Sequence, residues 1–220
     1  MKVIDSSLLN MRGSVPGGGW PPLHGGIRAS LAALLLQLDS TQFLPRQEIE
    51  RLQFTQLPLL AEHAARYSPQ FGARLQAAGL WPADLSAPDG LRRLPPLARR
   101  DIQGAGRSLF CTSVPKGHQP LGEVKASGST GEPVVVKRSA VTHLFWMALT
   151  LRDHFWHHRD VLQRMTAIRA TVSEPAESEG WGAPFDLLYE TGRLQRLPIT
   201  MPIEEQMRHL KAFRPDSLLI

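Results

Sequence analysis

Residues 125 to 133 read Lys-Ala-Ser-Gly-Ser-Thr-Gly-Glu-Pro. Ser127, Ser129 and Thr130 place three hydroxyls within five residues, and Gly128 and Gly131 let the backbone approach a ligand and take up positive φ. Successive amides in such a turn make a concave donor site for phosphate oxygens. The run is not a Walker A loop, because no Gly-Lys-Ser/Thr follows at the required spacing, and it lacks the dinucleotide fingerprint G-x-G-x-x-G. Composition alone leaves two readings open, a plain Ser/Gly turn between strands and a phosphate loop.

The neighbouring segments say what would hold that run in place. Leu121 to Ala126 reads as a short extended stretch and Val134-Val135-Val136 as strand, so two strands flank the turn. Ser139 is a fair N-cap for a helix from Ala140 to about His158, with Val141, Leu144, Phe145, Ala148, Leu149, Phe155 and Trp156 as its apolar face, together with the Arg152 stem. Met165 to Val172 and Leu194 to Ile199 read as strands, Ile203 to Phe213 as a helix, and Ser217 to Ile220 as the start of a third strand. That succession predicts a parallel or mixed sheet with packed helices. Upstream, Gly and Pro crowd residues 13 to 26, which predicts an irregular arm over 1–28. Residues 29 to 80 read as mainly helical: Ala29 to Leu38, Arg46 to Tyr67, and Pro69 to Ala78 closed by Gly79. Pro58 should kink or divide the second of these helices. Pro- and Gly-rich loops follow, with a helix near Ala98, and α/β texture begins at about residue 119.

The 220 residues are 42% apolar, enough for a sizeable core without disulfides or a structural metal. The single Cys111 excludes an internal disulfide and cysteine-rich zinc sites, and a reducing, cytoplasmic setting is expected. Ala29 to Leu38 is about half the ~20 residues of a membrane span and lacks a signal-peptide cleavage site, so no membrane association is expected. The formal charge of +5 is N-terminal, with 16 basic and 10 acidic residues before position 139, and 9 and 10 from there on. Arg92, Arg93, Arg99, Arg100 and Arg107 form the densest cluster, but no recognisable nucleic-acid module accompanies them.

The segment Ser127-Gly128-Ser129-Thr130-Gly131-Glu132-Pro133 resembles the S-G-[ST]-T-G-x-P phosphate loop of adenylate-forming enzymes, the superfamily of acyl-CoA synthetases, luciferases and peptide-synthetase adenylation domains. Leu94-Pro95-Pro96-Leu97-Ala98-Arg99-Arg100-Asp101-Ile102 and the helix bearing Ala148 to His154 are similar to the phenylacetate:CoA ligase-like branch. The resemblance extends from the Pro16 to Pro22 arm to Arg214-Pro215-Asp216-Ser217-Leu218-Leu219-Ile220. It implies an α/β fold in which 29–220 is an incomplete N-terminal domain of such a ligase. It also implies a two-step reaction: a carboxylic acid attacks Mg-ATP to give acyl-adenylate and pyrophosphate, and a thiol such as coenzyme A then displaces AMP. ATP and Mg2+ are thus the implied cofactors. Ser129 and Thr130 would contact phosphate oxygens, while Ser127, Gly128 and Gly131 shape the loop. Adenine- and acyl-pocket motifs, the metal-binding acidic residue and a lid with the catalytic lysine would fall beyond Ile220. Weak nucleotide binding without turnover is therefore expected of these 220 residues alone. Val134-Val135 replaces the Lys-Gly that many members carry, leaving Lys137 as the nearest downstream cation, and Ala98 stands where a helix-capping Ser or Thr is expected.

Other constellations read more plainly. His154, His157 and His158 with Asp153 and Asp160 lack the H-E-x-x-H order of zinc sites and fit the end of a packed helix. Glu174, Glu177 and Glu179 read as a solvated loop, Cys111 as an inert thiol, and Phe145, Trp146 and Trp156 as core or interface residues. A second function class is a non-catalytic module that binds an anionic partner through the Arg-rich N-terminal half.

Overall fold

The computed structural model describes residues 10–16, 20–125 and 133–220. In chain order the elements are α1 (Gly26–Thr41), α2 (Arg46–Tyr67), α3 (Pro69–Ala77), α4 (Pro88–Arg93), α5 (Arg99–Ala105), β1 (Leu121–Lys125), β2 (Val135–Ser139), α6 (Ala140–Trp156), β3 (Met165–Arg169), β4 (Ala176–Ser178), α7 (Phe185–Leu188), β5 (Leu194–Pro198), α8 (Ile203–Phe213) and β6 (Ser217–Leu219). Single 3-10 turns occupy Pro82–Ser86, Gly106–Leu109 and Lys116–His118. The protein is mixed α/β; the described residues up to 40 form one compact unit with 144–220, and the described residues from 41 to 143 form another.

The first unit is built on a four-stranded sheet of order β4-β5-β3-β6. β5 and β6 both run parallel to β3, and β4 lies antiparallel on β5. The mixed sheet expected from the strand-helix-strand succession is therefore present. Met165 and Ala167 of β3 and Leu194 of β5 face a core shared with Leu31 and Leu35 of α1, Met147, Ala148 and Leu151 of α6, and Phe185 and Leu188 of α7. Each fully buried large side chain contributes roughly 1.5–3 kcal/mol by leaving water. On the alternate face Thr166 and Gln195 are buried side by side, with Thr166 Oγ1 and Gln195 Oε1 3.1 Å apart, so the polar atoms inside the sheet are partnered.

Two expectations fail here. The buried stripe of α6 is Met147, Ala148, Leu151 and His154, whereas Phe145, Trp146, Leu149 and Trp156 lie 42–53% exposed. The helix is apolar nearly all round, so periodicity offered several stripes and the sheet selected among them. The second concerns Glu177, which belongs not to a loop but to β4, where it pairs with Gln195 and accepts from Arg193 Nη2 at 2.7 Å.

In the second unit α2 and α3 pack through Ala61 and Leu75, with Leu80 and Leu85 completing the cluster. α2 is one helix from Arg46 to Tyr67 with Pro58 inside it, so Pro58 does not divide it. The packing of Leu57, Ala61 and Ala65 on both sides of the proline offsets the missing backbone donor. Gly79 ends α3 at φ 60°, where its successor Leu80 donates to Leu75 O at 2.9 Å, a closure that favours glycine. No helix among the described residues is long and apolar enough to cross a membrane.

Candidate functional site

β1 and β2 form an antiparallel hairpin whose last pairing is Lys125 with Val135. Ser127, Gly128, Ser129, Thr130 and Gly131 lie outside the described residues, but the two sides of their run are held in register by this ladder. Beside the hairpin lies a cleft of about 370 Å3. Its walls come from three stretches: Ile102 to Phe110, then Glu123 and Lys125 on β1, and Pro133 to Val135 leading into β2.

Local chemistry explains why the first wall stands where it does. Asp101 Oδ2 accepts from Ala98 N at 2.9 Å, supplying half of a capping box for α5, while the alanine side chain supplies nothing in return. The sequence correctly marks that position as uncapped from the Ala98 side. α5 ends at Gly106 with φ 52°, and the 3-10 turn Gly106–Leu109 follows. That turn is tied to the helices by Ser68, buried at 4% exposure, whose hydroxyl lies 3.1 Å from Leu109 O and 3.3 Å from Ser108 O and also accepts from Phe71 N at the start of α3. Thr112 N donates to Tyr67 O at 2.8 Å one turn further on.

The electrostatics of the cleft are positive. Glu123 is bonded to Lys137 directly across the ladder, and Lys137 Nζ also sits 5.5 Å from the centre of the Phe110 ring. The hydrogen bond and charge of Lys137, with a smaller contribution from Lys125, hold the Glu123 carboxyl below its ordinary value. Arg107 and Lys125 line the cleft, and Lys125 adds a minor electrostatic pull on Glu123. The cleft lining thus carries Arg107 and Lys125 beside one carboxylate, Glu123, which Lys137 already engages. This donor set suits an anion such as a phosphate group and offers Mg2+ no carboxylate pair. Lys137, the cation singled out from sequence, is committed to Glu123 and Phe110. Arg107 and Lys125 were legible only as members of an arginine cluster and as a loop flank.

The remaining candidates separate. Arg92 pairs with Asp89 at 2.9 Å, Arg93 reaches Gly79 O at 3.4 Å, and Arg100 lies 3.8 Å from Asp101, so the arginines of the cluster have different local partners. His154 is buried at 4% exposure against Phe185 and Trp181, with ring centres 4.6 and 5.7 Å away. Burial first, then the nearby Arg159 charge, pushes its pKa down to about 4, so it is a neutral core histidine at physiological pH. His158 follows the end of α6 at φ 49°, and His157 lies 3.6 Å from Asp153 on the exposed side. Among the described residues no group of three or more His, Cys, Asp and Glu is placed to hold a metal ion. Cys111 is half-buried, and desolvation raises its thiol pKa, which disfavours the reactive thiolate. A larger cavity of about 1040 Å3, lined by Leu59, Leu75, Leu80 and Trp81, is apolar apart from Glu62, Arg66 and Gln76.

No protein-family model matches the chain, and no curated protein matches it.

Proposed function

We propose that these residues are the phosphate-holding part of an adenylate-forming ligase that activates a carboxylic acid with Mg-ATP and passes the acyl group to a thiol such as coenzyme A. The observation that carries the reading is the β1–β2 hairpin, which holds Lys125 and Pro133, the two sides of the Ser127 to Gly131 run, at one edge of a cation-lined cleft. In this reading the Ser129 and Thr130 hydroxyls donate to β- and γ-phosphate oxygens. The carboxylate forms its new bond to the α-phosphorus while the bond to the pyrophosphate oxygen breaks. The amides and hydroxyls take up charge developing on that leaving group, which is where preorganised donors act most strongly.

Calorimetric titration with Mg-ATP tests the proposal. Binding by the wild-type chain that weakens about tenfold or more in Thr130→Val is expected from the loss of one hydrogen bond to a charged oxygen. Equal binding by both proteins, or none by the wild type, counts against it.

A further inference from the structure

We infer that the apolar groove of the second unit is the interface through which the chain pairs with a second copy of itself about a two-fold axis, Glu62 of each copy meeting Arg66 of the other. The groove, about 1040 Å3, lies between α2, α3 and the stretch from Gly79 to Ala83. The approach of its two helices is set by Gly72, where a Cβ would come 2.9 Å from Ala65 O, so glycine is what lets α3 lie this close to α2. Leu59 of α2 and Trp81 line the groove at 68% and 78% exposure, a large apolar area to leave in water at one place. The Trp81 backbone is pinned. Its N–H donates to Asp84 Oδ2 at 2.7 Å and its carbonyl accepts from Asp84 N at 3.0 Å, so the ring is presented from a closed turn.

Charge selects the occupant. Glu62 and Arg66 stand one turn apart on α2, are exposed and both line the groove, yet neither takes part in a salt bridge among the described residues. Elsewhere on the same helix Arg46 bonds Glu50 and Arg51 bonds Glu48. A two-fold interface uses one patch twice, so that patch must carry both halves of every contact. This one does. An acid and a base four residues apart form two reciprocal ion pairs when two copies of α2 run antiparallel, and an exposed indole stands beside a groove that can receive its counterpart. The lining holds one acidic and one basic side chain and so has no net charge, whereas Arg92, Arg93, Arg99 and Arg100 leave α4 and α5 positive. Two copies therefore meet at this face without like-charge repulsion, and neither an acidic nor a basic partner is favoured there. The surface is independent of the phosphate chemistry proposed for the hairpin.

Sedimentation equilibrium of the whole chain over a concentration series tests the pairing. The wild type is compared with Glu62→Arg, Arg66→Glu, the double reversal of both, Trp81→Ala and, as a control, Trp20→Ala, whose ring is 90% exposed outside the groove. Glu62, Arg66 and Trp81 are exposed, so the variants retain the fold, which circular dichroism verifies. The wild type should show a monomer–dimer equilibrium. Each single reversal sets like charges face to face and should weaken dimerisation about tenfold or more, and the double reversal should return it to within about threefold of the wild type. Trp81→Ala should weaken it about thirtyfold, as for an aromatic anchor, while Trp20→Ala should change it less than about twofold. A chain that is monomeric at every concentration, a dimer indifferent to the reversals or to Trp81→Ala, or a double reversal as weak as the single ones overturns the inference. So does a monomeric wild type that binds an apolar dye only when Trp81 is present, which would give the groove to a small apolar ligand. Should a single reversal misfold, the double reversal and Trp81→Ala decide.

Discussion

The two sheets among the described residues are stabilised in different ways. β3 and β5 bury nearly every side chain, and their register is set by which residues face the apolar core. β1 is exposed along its whole length and β2 at Val136 and Lys137, so their pairing rests mainly on the backbone ladder. The four-stranded sheet can lose little without losing stability, whereas the hairpin keeps Lys125 in contact with solvent.

The sharpest way to break this comparison is to truncate matched positions. Leu151→Ala, in the core behind β3, should cost about 2–5 kcal/mol in urea unfolding, because Leu151 is fully buried and the cavity cannot collapse completely. A loss below about 1 kcal/mol would mean that the sheet is not held by this core.

The next effect in size is a pH dependence confined to the buried unit. The folded pKa of His154 is about 4 against an ordinary 6.5, so the unfolded chain binds the proton more readily between these values. The resulting stability is fully present above pH 6.5 and is lost as the pH falls toward 4, by about 3 kcal/mol at most. His154→Phe, placed beside Phe185 and Trp181, should flatten that part of the pH profile of the urea midpoint. An unchanged slope in the variant would assign the dependence elsewhere.

Thr166→Val probes the buried polar pair. It leaves Gln195 Oε1 without its hydroxyl partner inside the sheet and should cost about 1–3 kcal/mol. A neutral result would show that the amide finds another partner.

The smallest effect belongs to the hairpin. Lys137→Met should leave the urea midpoint unchanged and raise the pH at which Glu123 titrates, as followed by carboxyl NMR, because its main hydrogen bond and nearest positive charge are removed. A large drop in stability would mean that the hairpin, like the other sheet, depends on its side chains to stay folded.

Elements with strong local signals were legible from sequence. The helix over Ile203–Phe213 and the strands beginning at Met165 and Leu194 required only the spacing of their apolar residues. Ser139 was legible as a cap, and its hydroxyl accepts from Thr142 N at 3.1 Å. What escaped was non-local. β4, Ala-Glu-Ser, carries no alternation and exists because Glu177 meets Arg193 and Gln195 on a neighbouring strand. The buried face of α6 was decided by the sheet beneath an almost uniformly apolar helix. The loop motif was plain in the sequence, but the cleft beside it was not. Arg107 and Lys125 are 18 positions apart, and only the tertiary arrangement puts them on one surface.

The proposed ligase function requires the Ser127 to Gly131 run to grip the phosphates of a nucleotide. Phosphorus NMR of Mg-ATP with and without the chain reads that grip directly. The account predicts selective broadening and shift of the β- and γ-phosphate resonances, with the α-phosphate and the adenine protons less affected, and loss of the effect in Thr130→Val. Unperturbed phosphate resonances, or a perturbation confined to the adenine protons, would contradict it.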